Sequence, residues 1–199
     1  MINVFQIQKL SGLRRLAPLL LCWGLLAGCA TSGGDLFRDN SMDFGSIKTV
    51  VIMPLNNISR DQLAGERVRD VFTSMLMATG SVYTLPTGEV ARGIASVNVS
   101  SIVAPTTEEV VKLGKALKAE AVITGAVREY GDVRSGSATA DIISLSLQMT
   151  ETQTGRVIWS ASSTQGGIGI MERLFGGGGK ALNEVTEKAV NDLINKLFE

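Results

Sequence analysis

The sequence has no histidine, and both of its cysteines, Cys22 and Cys29, lie near the N-terminus. Without histidine the chain lacks an imidazole general base, so Ser-His-Asp and Cys-His catalysis and the usual histidine-containing zinc sites are excluded. A hydrolase that uses two carboxylates would need a close Asp or Glu pair, and no spacing in the sequence points to one. We therefore expect a protein that is not an enzyme and that holds no metal or cofactor.

An excess of charge of either sign is also missing, since 19 Lys and Arg side chains balance 19 Asp and Glu side chains. Nothing in this balance attracts DNA, RNA or an anionic membrane surface. We expect no nucleic acid among the partners of the protein.

Acidic residues are absent from the first 28 positions, where the sequence instead has the basic residues Lys9, Arg14 and Arg15. The apolar run that follows, Leu16–Leu26, is shorter than the roughly 20 residues that a transmembrane helix needs. A basic front, a short apolar middle and small residues at the end are typical of a secretory signal peptide. The end of this stretch, LAGC at residues 26–29, resembles the lipobox of bacterial lipoproteins.

The lipobox resemblance implies that Cys29 carries lipid, because in that family the chain is cut just before the cysteine and the thiol is diacylated. Removing residues 1–28 changes the formal charge from 0 to −3, since it takes away three basic and no acidic side chains. We predict a signal peptide at residues 1–28, a lipidated flexible tether at 29–45 and a single periplasmic domain at 46–199. The alternative, a buried first helix with an incidental cysteine, leaves the basic front unexplained.

Apolar periodicity predicts an α/β (α+β) domain with the element order β-α-β-α-β-β-β-α. The β-branched run Ile47–Leu55 is typical of a buried strand, and the alternation in ISLSLQMT, residues 143–150, is typical of a hairpin arm. Gly125 interrupts another strand, where glycine marks a bulge or a close backbone approach. Capping-box spacing at Ser59–Gln62 and Thr106–Glu109 predicts two helix starts. We expect three layers, with helices packed against a mixed sheet of about five strands.

The glycine-rich stretch GGIGIMERLFGGGGKALNE, residues 166–184, invites comparison with a phosphate-binding loop. The comparison fails because Leu174 stands where the motif needs glycine, and Ala181 follows Lys180 where it needs a hydroxyl, so we expect no nucleotide. Residues 168–175 of this stretch also hold five large apolar side chains: Ile168, Ile170, Met171, Leu174 and Phe175. They either pack beneath the sheet or form a docking patch for a partner or a second copy, as exposed apolar patches often do.

Three segments together, IKTVVIMPLNN, LKAEAVITGAVREYGD and ISLSLQMTETQTGRVIWSAS, resemble CsgG-type and LpoB-like outer-membrane lipoproteins, whose fold is similar to the N-terminal domain of TolB. The resemblance covers about residues 47–197. It implies a periplasm-facing module, anchored in the outer membrane, that docks or assembles rather than catalyses. Ala30 after the acylated cysteine is similar to lipoproteins that are passed on to the outer membrane. The chain is too short to contain the long barrel-forming hairpins of CsgG, so we expect no secretion pore.

The sequence thus favours an accessory or assembly lipoprotein of the bacterial cell envelope. Its acyl chains would hold it at the outer membrane, since two or more chains anchor a protein stably. Its partners would be envelope proteins, further copies of itself, or both. The alternative is a solute-binding or envelope-sensing lipoprotein, which would need a concave pocket with convergent polar groups.

Overall fold

A mixed sheet of seven strands forms the centre of the domain in the computed structural model, which describes residues 36–136, 138–168 and 179–199. The strands are β1 (Leu36–Arg38), β2 (Thr49–Ile52), β3 (Asn56–Asn57), β4 (Tyr83–Thr84), β5 (Ala121–Ser135), β6 (Ala138–Glu151) and β7 (Val157–Gly166). Their order is β1-β7-β6-β5-β2-β4, with β3 paired to β5. Strands β2 and β3 run parallel to β5 and β4 runs parallel to β2, whereas β5, β6, β7 and β1 are antiparallel neighbours.

Four α-helices complete the described part of the chain: α1 (Ala64–Ala78), α2 (Thr87–Val97), α3 (Thr107–Leu117) and α4 (Leu182–Phe198). Helices α1 and α4 cover one face of the sheet, and α2 and α3 cover part of the other. The α/β class and the mixed sheet with packed helices are therefore confirmed. The sheet has seven strands rather than about five because β1 and β3 have only three and two residues, too few for a period-two pattern.

Two apolar clusters hold the layers together. The larger lies under α1 and α4, where Trp159 of β7 and Leu145 of β6 are fully buried against residues such as Phe72 and Leu193. The smaller lies under α2 and α3 around Val122. Burial of apolar area on both faces stabilises the three layers by roughly 25 cal/mol per Å².

One of the two predicted capping boxes is confirmed. Thr106 Oγ1 accepts from the amide of Glu109 while the Glu109 carboxylate accepts from the amide of Thr106, and α3 starts there. The prediction of a box at Ser59–Gln62 is wrong. The Ser59 hydroxyl donates to the side chain of Asn57 (2.7 Å) and to the carbonyl of Asp61 (3.2 Å), so it is used within the loop before α1.

The folded unit begins earlier than predicted. Residues 36–45 were expected to belong to the flexible tether, but Leu36–Arg38 pairs antiparallel with β7 as an edge strand. Arg38 Nη1 then donates to the carbonyl of Leu197 (2.5 Å), and its guanidinium lies 3.7 Å from the centre of the Phe44 ring. These contacts fix the segment onto the end of α4, and short segments of this kind carry no period that a sequence reading can detect. In the part of the chain that the structure describes, none of the helices combines the length and hydropathy needed to cross a bilayer.

Candidate functional site

The polar side of the β6–β7 hairpin, here called the serine face, is an open surface of the sheet. Its cross-strand pairs are Ser144 with Thr164, Ser146 with Ser162, and Gln148 with Ser160. Each of these side chains is half-buried or exposed, whereas the alternate residues Leu145 and Leu147 are buried against the core. Helices α2 and α3 lie on the same side of the sheet but pack on β2 and β5. The serine face is therefore accessible to a partner.

A groove with a volume of about 420 Å³, the serine groove, runs along this face. Its floor includes Ser146, Gln148 and Ser160, and its wall is the loop Val103–Pro105. The groove is open to solvent and lined by hydroxyl, amide and backbone groups together with a few aliphatic carbons. Such a surface suits hydrogen bonding to a polypeptide better than enclosure of a small solute, which buries most of its surface in a deep pocket.

Glu109 fixes the wall of the serine groove. Its carboxylate accepts hydrogen bonds from the backbone amides of Ser100 (2.7 Å) and Thr106 (2.7 Å), and these two amides bracket the loop. The same bonds, that of Ser100 first, lower the pKa of Glu109 to about 2, because an ionised carboxylate accepts them best. The sequence identifies Glu109 as a capping residue, but nothing in it signals the bond to Ser100.

A second open groove, the arginine cleft, has a volume of about 650 Å³ and lies beside the far end of the β5–β6 hairpin. It is lined by Ile58–Arg60, by Arg128–Arg134 and by Ile142. Arg134 pairs with Asp132 (3.2 Å), but Arg60 and Arg128 are exposed and form no ion pair with a described residue. The cleft therefore offers two unpaired cationic groups, and it shares Arg128 with the serine groove.

Most of the residues predicted as sites lie outside the described part of the chain. These are the lipidation residue Cys29 and four members of the predicted docking loop, Ile170, Met171, Leu174 and Phe175. The fifth member, Ile168, is half-buried just after β7. Both roles considered for this loop, packing beneath the sheet and docking, remain predictions.

The described ends of that loop meet at one place on β6. The amide of Gly167 donates to the carbonyl of Asp141 (2.8 Å), and a Cβ built at Gly179 would lie 2.7 Å from that of Ala140. Gly166 and Gly167 have φ of +83° and +86°, which side chains disfavour. Gly166 and Gly167 thus allow a tight exit from β7, and Gly179 allows a close return to β6. Among the described residues no cluster of three or more Cys, Asp or Glu could hold a metal ion.

Several solved structures share this fold. The PelC dodecamer from Paraburkholderia phytofirmans is 16% identical, with a TM-score of 0.54, over 81% of this chain and 94% of that chain. Lipoprotein GNA1162 from Neisseria meningitidis is 16% identical, with a TM-score of 0.55, over 76% of this chain and 98% of that chain. The C-terminal domain of LpoB from Salmonella enterica is 13% identical, with a TM-score of 0.48, over 63% and 86%. No curated protein sequence matches the chain.

The similarity to PelC and GNA1162 extends to the fold alone, given the low identity. The model of one family, described as the peptidoglycan-synthase activator LpoB, matches residues 36–164. That match begins at β1 and ends within β7, so it includes the serine face and both grooves. It supports the LpoB-like part of the resemblance stated above, while the CsgG-type label receives no support from these comparisons. The chain belongs to the peptidoglycan-synthase activator LpoB family.

Proposed function

We propose that the protein is a lipid-anchored accessory protein of the outer membrane that binds a periplasmic peptidoglycan synthase and stimulates it without doing chemistry of its own. The match to the LpoB family model supports a peptidoglycan synthase as the class of partner, and the matched residues include the open polar surface to which a partner could bind. The absence of histidine supports a role in binding rather than catalysis. The serine groove and the arginine cleft are open, which favours docking over the alternative of solute binding.

The anchor restricts where this docking takes place. If Cys29 carries the lipid, only residues 30–35 separate it from β1, and six extended residues span at most about 21 Å. The domain would therefore stay at the periplasmic side of the outer membrane, and a partner from the inner membrane or the periplasm would have to reach it there. Confinement to that surface raises the effective concentration of the protein for partners that reach it.

The test of the proposed function uses the full-length lipidated protein in detergent and a purified peptidoglycan synthase from the same bacterium. We expect the rate of glycan-strand polymerisation to rise when the protein is added. Gln148→Arg places a bulky charge on the serine face and should abolish the stimulation. The control Ser74→Arg also replaces an exposed polar residue by arginine, but on the exposed side of α1, and it should preserve the stimulation. A synthase that neither binds the wild-type protein nor responds to it would refute the proposal.

The anchor itself is tested by mass spectrometry of the protein isolated from its native membranes. We expect a mature chain that starts at an acylated Cys29, and a Cys29→Ser variant that remains uncleaved and is lost from the outer-membrane fraction. An intact N-terminal methionine with a free Cys29 thiol would contradict the anchored part of the proposal.

The fold shared with PelC raises a second candidate, an assembly of several copies on the membrane surface. PelC, which shares the fold, is a dodecamer, and that description belongs to PelC alone. The mass of the detergent-solubilised protein, measured by light scattering and corrected for detergent, separates the two candidates. A single copy that stimulates the synthase favours the first candidate, and a stable ring that does not stimulate it favours the second.

A further inference from the structure

The outer half of β5 forms a sheet edge that no described strand covers. On this side β2 pairs with β5 from Ala121 to Ile123, and β3 pairs with it at Ala126 and Val127. The last bond of the ladder runs from the amide of Ile58 to the carbonyl of Val127 (2.9 Å). Beyond it, residues 129–134 pair only with β6 on their other side. We call residues 129–134 the β5 edge.

The chain before α1 turns away at the point where the β5 edge begins. Ile58 is 63% exposed, and the Asn57 side chain donates to the carbonyl of Asp61 (2.7 Å), which draws the following residues into a turn. A register shift between Val127 and Glu129 lies at the same level of β5. The turn after Ile58 and the register shift in β5 leave a space beside the edge, and this space is the arginine cleft.

An uncovered strand presents unpaired backbone N–H and C=O groups, which can pair with another extended chain. Natural proteins protect such edges with charges and bulges, and the β5 edge has both. The charges therefore determine which strand can pair with the edge. The cleft is lined by three basic residues, Arg60, Arg128 and Arg134, and by two acidic residues, Glu129 and Asp132. Asp132 pairs with Arg134, which leaves Glu129 as the acidic group beside the two arginines that have no described ion pair.

A second copy of this chain satisfies the free arginines poorly when two β5 edges pair about Gly131 or about the centre of residues 129–134. Antiparallel pairing of two β5 edges about a two-fold axis at Gly131 would set Arg128 opposite Arg134 of the other copy. Pairing about the centre of residues 129–134 would set Glu129 opposite Arg134 but would leave Arg128 opposite the uncharged Ser135. In the first of these registers, like charges meet. Like charges directly opposite each other on neighbouring strands destabilise the pairing. A partner strand that carries carboxylates beside Arg60 and Arg128 would instead pair with their guanidinium groups.

We propose that the β5 edge binds an extended, acidic segment of a partner protein as an added strand, with its carboxylates beside Arg60 and Arg128. Backbone hydrogen bonds to residues 129–134 supply the affinity, and the two arginines select the sign of the charge. That this partner is the synthase rests on the proposed function. The chemistry of the edge does not.

Hydrogen exchange of the full-length lipidated protein in detergent tests this site with a synthetic probe of known sequence. The probe is the capped peptide acetyl-TEVEVET-amide, and the matched control peptide has lysine in place of each glutamate. We expect the acidic peptide, and not the basic one, to slow exchange of backbone amides within residues 129–134. The double variant Arg60→Glu and Arg128→Glu should weaken this binding at least about tenfold. Arg92→Glu, on the exposed side of α2, should leave it unchanged.

Two results would overturn the inference. The first is an absence of protection by the acidic peptide, or equal protection by both peptides. The second is protection that grows with the concentration of the protein itself when no peptide is present, because the occupant is then a second copy. Synthase assays keep this inference separate from the proposed function. If the synthase is stimulated equally by wild type and by the double variant, the edge proposal fails and the proposed function stands. If the peptide binds as expected but no synthase responds, the edge proposal stands and the proposed function fails.

Discussion

Gly125 in the middle of β5 provides a quantitative test of how closely the two long strands approach each other. It lies opposite Leu147 in the register. A Cβ built at Gly125 would lie 2.4 Å from the carbonyl oxygen of Ser146 and 2.4 Å from Leu147 Cδ2. The leucine side chain can rotate, but the carbonyl belongs to the β6 backbone, so relief requires that the two strands move apart.

Gly125→Ala should therefore lower the free energy of unfolding. Overpacking of this kind costs about 1–3 kcal/mol, and the reduced freedom of the unfolded chain returns about 0.4–1 kcal/mol. The net loss is about 1.3 kcal/mol, which for a domain of this size lowers the midpoint of thermal unfolding by about 3–5 °C. Far-ultraviolet circular dichroism of the variant and the wild type, measured against temperature and urea, gives both quantities.

The matched control is Gly88→Ala in the first turn of α2. A Cβ there would find only the end of the flexible Arg92 side chain, 3.9 Å away. The same substitution should raise the free energy of unfolding by about 0.5 kcal/mol, because alanine favours the helix and restricts the unfolded chain. The reasoning is refuted if Gly125→Ala is as stable as the wild type, or if the two variants shift stability in the same direction.

Two further predictions concern polar contacts. The pKa of Glu109 lies near 2 instead of its ordinary 4.5, so its bonds to the amides of Ser100 and Thr106 should be complete above pH 4.5 and lost as the pH falls towards 2. The nuclear magnetic resonance signals of those amides should titrate with a midpoint near 2, and Glu109→Gln should remove the titration. A midpoint near 4.5 would contradict the assignment. Trp159→Phe removes the indole donor to the carbonyl of Lys196 (3.0 Å) and leaves space in the core, so urea unfolding should show a loss of about 2 kcal/mol, and an unchanged midpoint would count against this contact.

The long elements could be predicted because each follows from a local pattern. The alternation over residues 143–150 places its apolar side against α4 and its polar side on the serine face, as the structure shows. The Thr106–Glu109 box marks the start of α3. The interpretation of Gly125 as either a bulge or a close approach resolves in favour of the close approach, and the register shift falls between Val127 and Glu129 instead.

The open grooves and the uncovered edge could not be predicted because they depend on residues far apart in sequence. The wall of the serine groove depends on a bond between Ser100 and Glu109, and β1 becomes a strand only because β7 offers it an edge. The free part of β5 exists because β3 stops after two residues, and a dipeptide of asparagines has no strand signal of its own. A sequence pattern shows which side chains of an element are buried, whereas an open sheet edge depends on where the neighbouring strands end.

Arg128 connects the two grooves into one surface. Arg128 lies at the register shift of β5, where it is the extra residue relative to β6. Beyond this shift, Tyr130 packs against the larger core cluster, while Glu129 lies opposite Ser144 on the side of the serine face. Because Arg128 lines both grooves, a partner strand on the β5 edge would bring the rest of its chain to the serine groove. If one synthase occupies both grooves, as we propose, Gln148→Arg and Arg60→Glu disturb opposite ends of its interface. Their effects on the free energy of binding should then add, since Gln148 and Arg60 share no contact of their own.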